Sequence, residues 1–174
     1  MKKSNMKYST GSMLLLCALC VNLLFFGCYS FSGASIPAHL KTIGIPLATD
    51  NSGFGRSEIR QLLTDQLQQK FTREGSLQVR DRAVSDAVLE VTISRVTDDP
   101  ISVKAGDELT NKRVTIIVDA VYQDKKMQKV VWQRSFSQYS DYPVDQSLEG
   151  FNKATLSALD KLTEDLMLGV ISNW

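Results

Sequence analysis

Histidine is almost missing from this chain: His39 is the only one among 174 residues. A histidine-dependent catalytic triad or a His-rich zinc site would have to be built on it. The patterns H-E-x-x-H, G-x-S-x-G and G-x-x-x-x-G-K-[ST] are absent as well. Cysteine is nearly as scarce. Cys17 and Cys20 lie inside an apolar run near the N-terminus and Cys28 follows it. Without that run, Cys28 would be the one cysteine left, and an intrachain disulfide is excluded. The chain also lacks an excess of charge. Its 20 Lys and Arg face 19 Asp and Glu, which leaves no electrostatic case for nucleic acid. No second long apolar run follows the first, so the remainder reads as a soluble body.

What is present begins at the N-terminus. Lys2, Lys3 and Lys7 make a basic start, residues 13–26 are apolar, and Gly27-Cys28 closes the stretch. A basic region, a short greasy segment and a small residue at the cut make a secretory signal peptide. A cysteine directly after the small residue resembles a bacterial lipoprotein signal. In such proteins the thiol is acylated and the chain is cut before it. The positions three and two before the cysteine hold Phe25 and Phe26, where Leu and a small residue are usual. The alternative is an uncleaved anchor, for which the run is short of the ~20 residues a spanning helix needs. Removing 27 of the 174 residues leaves 147, enough for one domain with a real core. It also removes three lysines, leaving 17 basic against 19 acidic residues and a net charge of −2.

Residues 28–40, rich in Ser, Gly and Ala, are expected to be a lipidated tether, and residues 41–174 a single domain. Ile43, Ile45 and Leu47 predict a short strand that Pro46 confines to an edge. Residues 50–55 predict a turn-rich loop. Ile59, Leu62, Leu63, Leu67 and Phe71 recur at helical spacing, which predicts a helix over residues 57–73 that Gly75 ends. A short strand is expected over residues 77–80. Ala87, Leu89, Val91 and Ile93 alternate with polar neighbours, as do Val114, Ile116, Val118, Ala120 and Tyr122, and then Val130, Trp132 and Phe136. The last two runs flank the polar turn Asp124-Lys125-Lys126-Met127 and predict a β-hairpin. Pro143 and a capping Asp145 predict a helix over residues 145–172, with Leu148, Phe151, Leu159, Leu162 and Leu166 on one face. Strands with one wet face point to a sheet covered on one side. The expected fold is α+β: two helices packed on one face of a mixed, largely antiparallel sheet, in the order β-α-β-β-β-β-α.

Residues 98–112 read as a long polar loop between strands. Its carboxylate pairs, Asp98-Asp99 and Asp107-Glu108, and the helical pair Glu164-Asp165 read as solvated, because acid–base work needs a buried, perturbed group. Arg95, Lys104, Lys112 and Arg113 lie in or beside the loop and could meet a phosphorylated amphiphile. Lys125, Lys126 and Lys129 at the hairpin turn read as ordinary surface, since charged tips guard strand edges. Trp132 and Phe136 read as core. Trp174 could hold a partner, a membrane interface or the core. Neither an enzymatic activity, a metal nor a cofactor is expected.

The run Cys28-Tyr29-Ser30-Phe31-Ser32-Gly33, the strand Lys41-Thr42-Ile43-Gly44-Ile45-Pro46, the helix after it and Ser85-Asp86-Ala87-Val88-Leu89-Glu90 together resemble the LptE family of lipopolysaccharide-assembly lipoproteins. Val91 stands where Gly is common. The resemblance covers residues 28–168. It implies a non-enzymatic lipoprotein of the outer membrane that plugs an LptD-type β-barrel, helps that barrel fold, and passes lipopolysaccharide to the outer leaflet. It implies Cys28 as the lipid attachment site. Ser102-Val103-Lys104-Ala105-Gly106 resembles a family stretch linked to lipopolysaccharide contact, which makes Lys104 the first candidate, with Lys112, Arg113 and Arg95 as neighbours. Lys stands at 104 where some members have Arg, and lysine offers a point charge rather than a planar fork. A lipid-anchored adaptor domain in another envelope complex is the other reading.

Overall fold

Three long strands dominate the fold, and they are the three that the alternation marks. The computed structural model describes residues 36–101 and 110–172. Along the chain run β1 (Thr42–Gly44), β2 (Thr49–Asp50), α1 (Glu58–Glu74), β3 (Gln78–Arg80), β4 (Ala87–Ile101), β5 (Asn111–Asp124), β6 (Lys129–Pro143), a 3-10 turn (Val144–Gln146) and α2 (Ser147–Ile171). The strands form one sheet in the order β3-β1-β4-β5-β6, with β2 also paired to β4. β1 is parallel to β3 and β4, and β2 to β4. β4, β5 and β6 form an antiparallel meander. The fold is α+β with a mixed, largely antiparallel sheet, as expected, with one extra short strand.

That extra strand has a local cause. Pro46 has no N–H to give to a ladder, so β1 ends at Gly44 and pairing resumes only at Thr49. Leu47, expected to point inward, is exposed. The carbonyl of Ile45 instead accepts a hydrogen bond from Gln68 Nε2 at 2.9 Å. α1 follows its predicted stripe: Ile59, Leu63, Leu67 and Phe71 are buried. Gly75 ends it at φ 80°, a left-handed conformation that suits glycine, and its N–H bonds Phe71 O at 3.0 Å.

The inward faces of β4 and β5 carry the alternating set. Ala87, Leu89, Val91 and Ile93 meet Val114, Ile116, Val118, Ala120 and Tyr122, all buried, against Leu159, Leu162 and Leu166 of α2 and the stripe of α1. Each Val, Leu and Ile of this set contributes about 1.5–3 kcal/mol on burial. Two bulges change the pattern. The β4–β5 register slips between Ile93 and Arg95, and the β5–β6 register slips at Tyr122/Gln123. The first leaves Ser94 unpaired and turns Arg95 to the open face, so that Val96 and Asp98 continue the inward set. The second leaves Val131 unpaired. Trp132 therefore points inward, while Val130, expected beside it, is 48% exposed.

Three further expectations are corrected. The loop placed at 98–112 is shorter: β4 continues to Ile101 and β5 begins at Asn111, so Asp98, Asp99 and Lys112 are strand residues, with Arg113 in β5. Pro100 is tolerated because β4 beyond Ile93 has β5 on one side alone among the described residues. Asp145 makes no cap. It falls in the 3-10 turn, and α2 begins at Ser147 without a side-chain cap. Leu148 is exposed, while Gly150 in the same first turn of α2 faces Tyr142, where a Cβ on it would come within 2.6 Å of the ring.

Candidate interaction faces

The sequence candidates fall on two faces of the hairpin. Residues 114 and 116 point to the helices, so Lys112 does too; it is paired with Pro100 on β4 and Tyr142 on β6, and Asp98, opposite Val114, is its diagonal neighbour on that face. Lys112 Nζ pairs with the Asp98 carboxylate and lies 5.8 Å from the centre of the Tyr142 ring. Tyr142 Oη donates to the other Asp98 oxygen at 2.8 Å. The Asp98 contact holds the Lys112 ammonium above its ordinary pKa, and burial with the Asp98 contact pushes the Tyr142 hydroxyl up. This triad closes the far end of the core, next to the edge-on contact of Tyr142 with Phe151 (6.4 Å) and the stack of Phe54 on Phe151 (5.9 Å).

Arg113 sits on the opposite, open face. Its Nε and Nη2 donate to the two oxygens of Asp141 at 2.6 and 2.9 Å, a bidentate fork. Its guanidinium lies 3.9 Å from the centre of the Tyr139 ring. The Arg113 hydrogen bond holds the Asp141 carboxyl below its usual range. Arg95 shares this face, opposite Ile117. It is exposed and has no ion pair among the described residues. Arg113 and Ile117 are four residues apart on β5, about 13 Å. One phosphate cannot touch Arg95, Lys112 and Arg113 together. Cys28, Lys104 and Trp174 lie outside the described residues.

Besides Glu90, Asp99 and Asp119, the rest of the open face is uncharged and largely polar. Thr92, Thr97, Thr115, Gln133, Ser135 and Ser137 line it with Ile117 and Val121, and none is buried. Residues 82–85 cross this face over β1. A Cβ on Gly44 would meet Ser85 Oγ at 2.6 Å and Arg82 Cα at 2.9 Å, so glycine is what lets the segment pass.

Sequence reasoning missed the end of the domain where the chain enters. The turn lysines are not idle surface. Lys125 Nζ donates to Arg82 O at 2.6 Å and Ala83 O at 3.0 Å. Lys126 Nζ donates to His39 O at 2.7 Å and pairs with Asp86 at 2.9 Å. The other Asp86 oxygen accepts from the N–H groups of Lys41 (2.8 Å) and Thr42 (3.1 Å). Lys126 first, then the Lys41 amide, lowers the Asp86 pKa to about 2. His39 Nε2 lies 2.6 Å from Asp124 Oδ2, and Leu40 is buried. From Ile36 onward the segment expected to be free tether packs on the domain. The signal that could have found this was His39 itself, a lone imidazole four residues from a predicted buried strand.

Among the described residues no helix is long and apolar enough to cross a membrane. No curated protein matches the chain. Among solved structures, a DUF330-family protein from Xanthomonas campestris is 18% identical, with TM-score 0.57 over 78% of this chain and 89% of its own. A minor lipoprotein from Acinetobacter baumannii is 13% identical, with TM-score 0.50 over 75% and 90%. PelC from Paraburkholderia phytofirmans, solved as a dodecamer, is 13% identical, with TM-score 0.52 over 81% and 95%. At these identities they share the fold. The LptE family model, described as lipopolysaccharide-assembly, matches residues 40–170, from the buried Leu40 through the last buried turn of α2, and the chain therefore belongs to the LptE family.

Proposed function

We propose that this protein is a non-enzymatic lipoprotein, anchored at an acylated Cys28 in the outer membrane, that fills the lumen of an LptD-type β-barrel, assists its assembly and delivers lipopolysaccharide to the outer leaflet. The single observation that carries the reading is the family match over residues 40–170. Two features support it. The open sheet face is rich in hydroxyl and amide side chains, which suits a polar barrel interior better than a lipid or a protein core. The apolar run before Gly27-Cys28 has the form of a lipoprotein signal.

Of the basic candidates for lipopolysaccharide contact, Lys104 rests on the family resemblance. Arg95 adds an exposed guanidinium on the open face, without an ion pair among the described residues. Arg113 already spends its fork on Asp141, and Lys112 its charge on Asp98. The test is depletion of the protein in its own cells. Loss of the assembled barrel and of surface lipopolysaccharide is the expected result. Normal levels of both would overturn the reading in favour of an adaptor for another envelope complex.

A further inference from the structure

The end of the domain at which the chain enters combines two features that the barrel reading does not use. It is basic, and it exposes large apolar side chains. Val84 is 73% exposed, Met127 65% and Val130 48%. Single exposed apolar residues are ordinary on protein surfaces. These three are not scattered. Val84 follows directly on Arg82 and Ala83, whose carbonyls Lys125 Nζ holds, and Met127 and Val130 lie two and five residues beyond Lys125. One cation thus ties the 81–86 crossing to the 124–129 turn, so the exposed Val84 and Met127 belong to the same end of the domain.

The charges around them are lopsided. Lys41 and Lys129 are exposed and have no ion pair among the described residues. Lys125 is exposed and spends its hydrogen bonds on neutral carbonyls, so its charge stays uncompensated. Most of the acidic groups nearby are taken up. Asp124 is buried against His39, Asp86 is held by two amides and Lys126, and Glu90 pairs with Arg82; Asp81, which accepts from the neutral Ala83 amide at 2.8 Å, keeps its charge, so the three lysines outnumber it. Apolar tips ringed by lysines are the composition of a surface that enters the headgroup region of an anionic bilayer.

Chain length brings this end to a bilayer. Ile36, the first described residue, packs on the domain, and residues 29–35 separate it from Cys28. Fully extended, such a segment spans at most about 25 Å. The far end of the hairpin, at Pro143, is about 45 Å further along β6.

We propose that the end formed by the 81–86 crossing and the 124–129 turn rests on the anionic phospholipid surface that holds the acylated Cys28, with Val84 and Met127 in the headgroup layer and Lys41, Lys125 and Lys129 against lipid phosphates. The orientation rests on Cys28 being the anchor, and the test separates the two ideas. Full-length protein, purified with its own lipid, is reconstituted into vesicles of phosphatidylethanolamine and phosphatidylglycerol, and flotation reports anchoring. An environment-sensitive fluorophore is placed through Met127→Cys, and in a second protein through Val144→Cys at the far end. Blue-shifted emission and quenching by brominated lipid at position 127, with neither at 144, is the expected result. Lys41→Glu with Lys129→Glu should lower the quenched fraction at least about fivefold. Val84→Asp, which leaves the charges in place, should lower it too. Flotation with equally wet probes at 127 and 144 would overturn the surface while leaving the anchor intact. Failure to float would overturn both. Quenching unchanged by the double charge reversal would overturn recognition of anionic lipid.

Discussion

His39 Nε2 meets Asp124 Oδ2 at 2.6 Å, across 85 residues of chain. A carboxylate can only accept, so the imidazole nitrogen carries the proton. Asp124 is 3% exposed, the last residue of β5, and also accepts from Met127 N at 2.9 Å. The contact fastens the entering chain to the hairpin turn. With Lys126 and Asp86 it holds residues 39–42 to the domain.

Removing that fastening is expected to loosen the entrance rather than unfold the protein. His39→Ala removes one of the hydrogen bonds that the buried Asp124 accepts, which costs about 1–3 kcal/mol. Hydrogen exchange of the Lys41 and Thr42 amides, both held by Asp86, should accelerate in Lys126→Met. Amides in the centre of β5 should be unchanged in that variant. Protection of Lys41 and Thr42 at the wild-type level would show that the clamp is not needed.

The same network sets the acid limit of stability. The Asp86 carboxyl titrates near 2 in the folded protein, against an ordinary value of 3.8. Asp124 is also lowered: burial opposes ionisation there, but the His39 and Met127 hydrogen bonds outweigh it. Both groups are depressed by folding, so their contribution is full above about pH 4 and is lost as pH falls toward 2. Wild type should lose melting temperature steeply across that window. Asp86→Asn should start lower at neutral pH and show a shallower acid slope. Parallel curves would contradict the assignment.

How much of this was legible in the sequence depends on the element. The stripe of α1 and the alternation of Leu89, Val91 and Ile93 needed no tertiary information, because each lies in an unbroken period. The period fails at the two bulges. Nothing in Ser94-Arg95 or Val130-Val131-Trp132 marks an unpaired residue, so Val130 was placed inward and the strand character of Asp98 and Lys112 was missed. The split of Lys112 and Arg113 onto opposite faces follows at once from their adjacency in a strand. The entrance network joins residues 39, 86 and 124–126, and no local pattern reports contacts at that separation.

Lys112 and Arg95 should behave differently when reversed. Lys112→Glu sets a second carboxylate against Asp98 beneath Tyr142, so it should lower the melting temperature. Arg95→Glu is exposed and should leave the melt unchanged within about 0.5 kcal/mol. If Arg95 or Lys104 contacts a lipopolysaccharide phosphate, reversal of that residue should weaken binding of purified lipopolysaccharide at least about tenfold in a folded protein. Unchanged affinity removes the residue from the site.

Close packing at two glycines gives a test of the fold. Gly150→Ala places a methyl group 2.6 Å from the Tyr142 ring, and Gly44→Ala places one 2.9 Å from Arg82 Cα. Each should cost about 1–3 kcal/mol. Gly44→Ala should cost more, since backbone cannot rotate away as a side chain can. Leu63→Asp, at a fully buried site on α1, should abolish cooperative melting by burying an unpaired charge.

The lipid anchor has its own check. Cys28→Ala should abolish incorporation of radioactive palmitate. Continued labelling would move the attachment site elsewhere.

The central claim is that this LptE-family domain works inside a barrel, and capture of the protein from its own outer membrane tests that most directly. A tagged, lipidated protein extracted in mild detergent should bring with it one large β-barrel in stoichiometric amount. Charge placed on the open face, as in Thr115→Asp with Ser137→Asp, should release that barrel while the domain stays folded. Recovery of the protein without a barrel, or with a different envelope complex, would contradict the account.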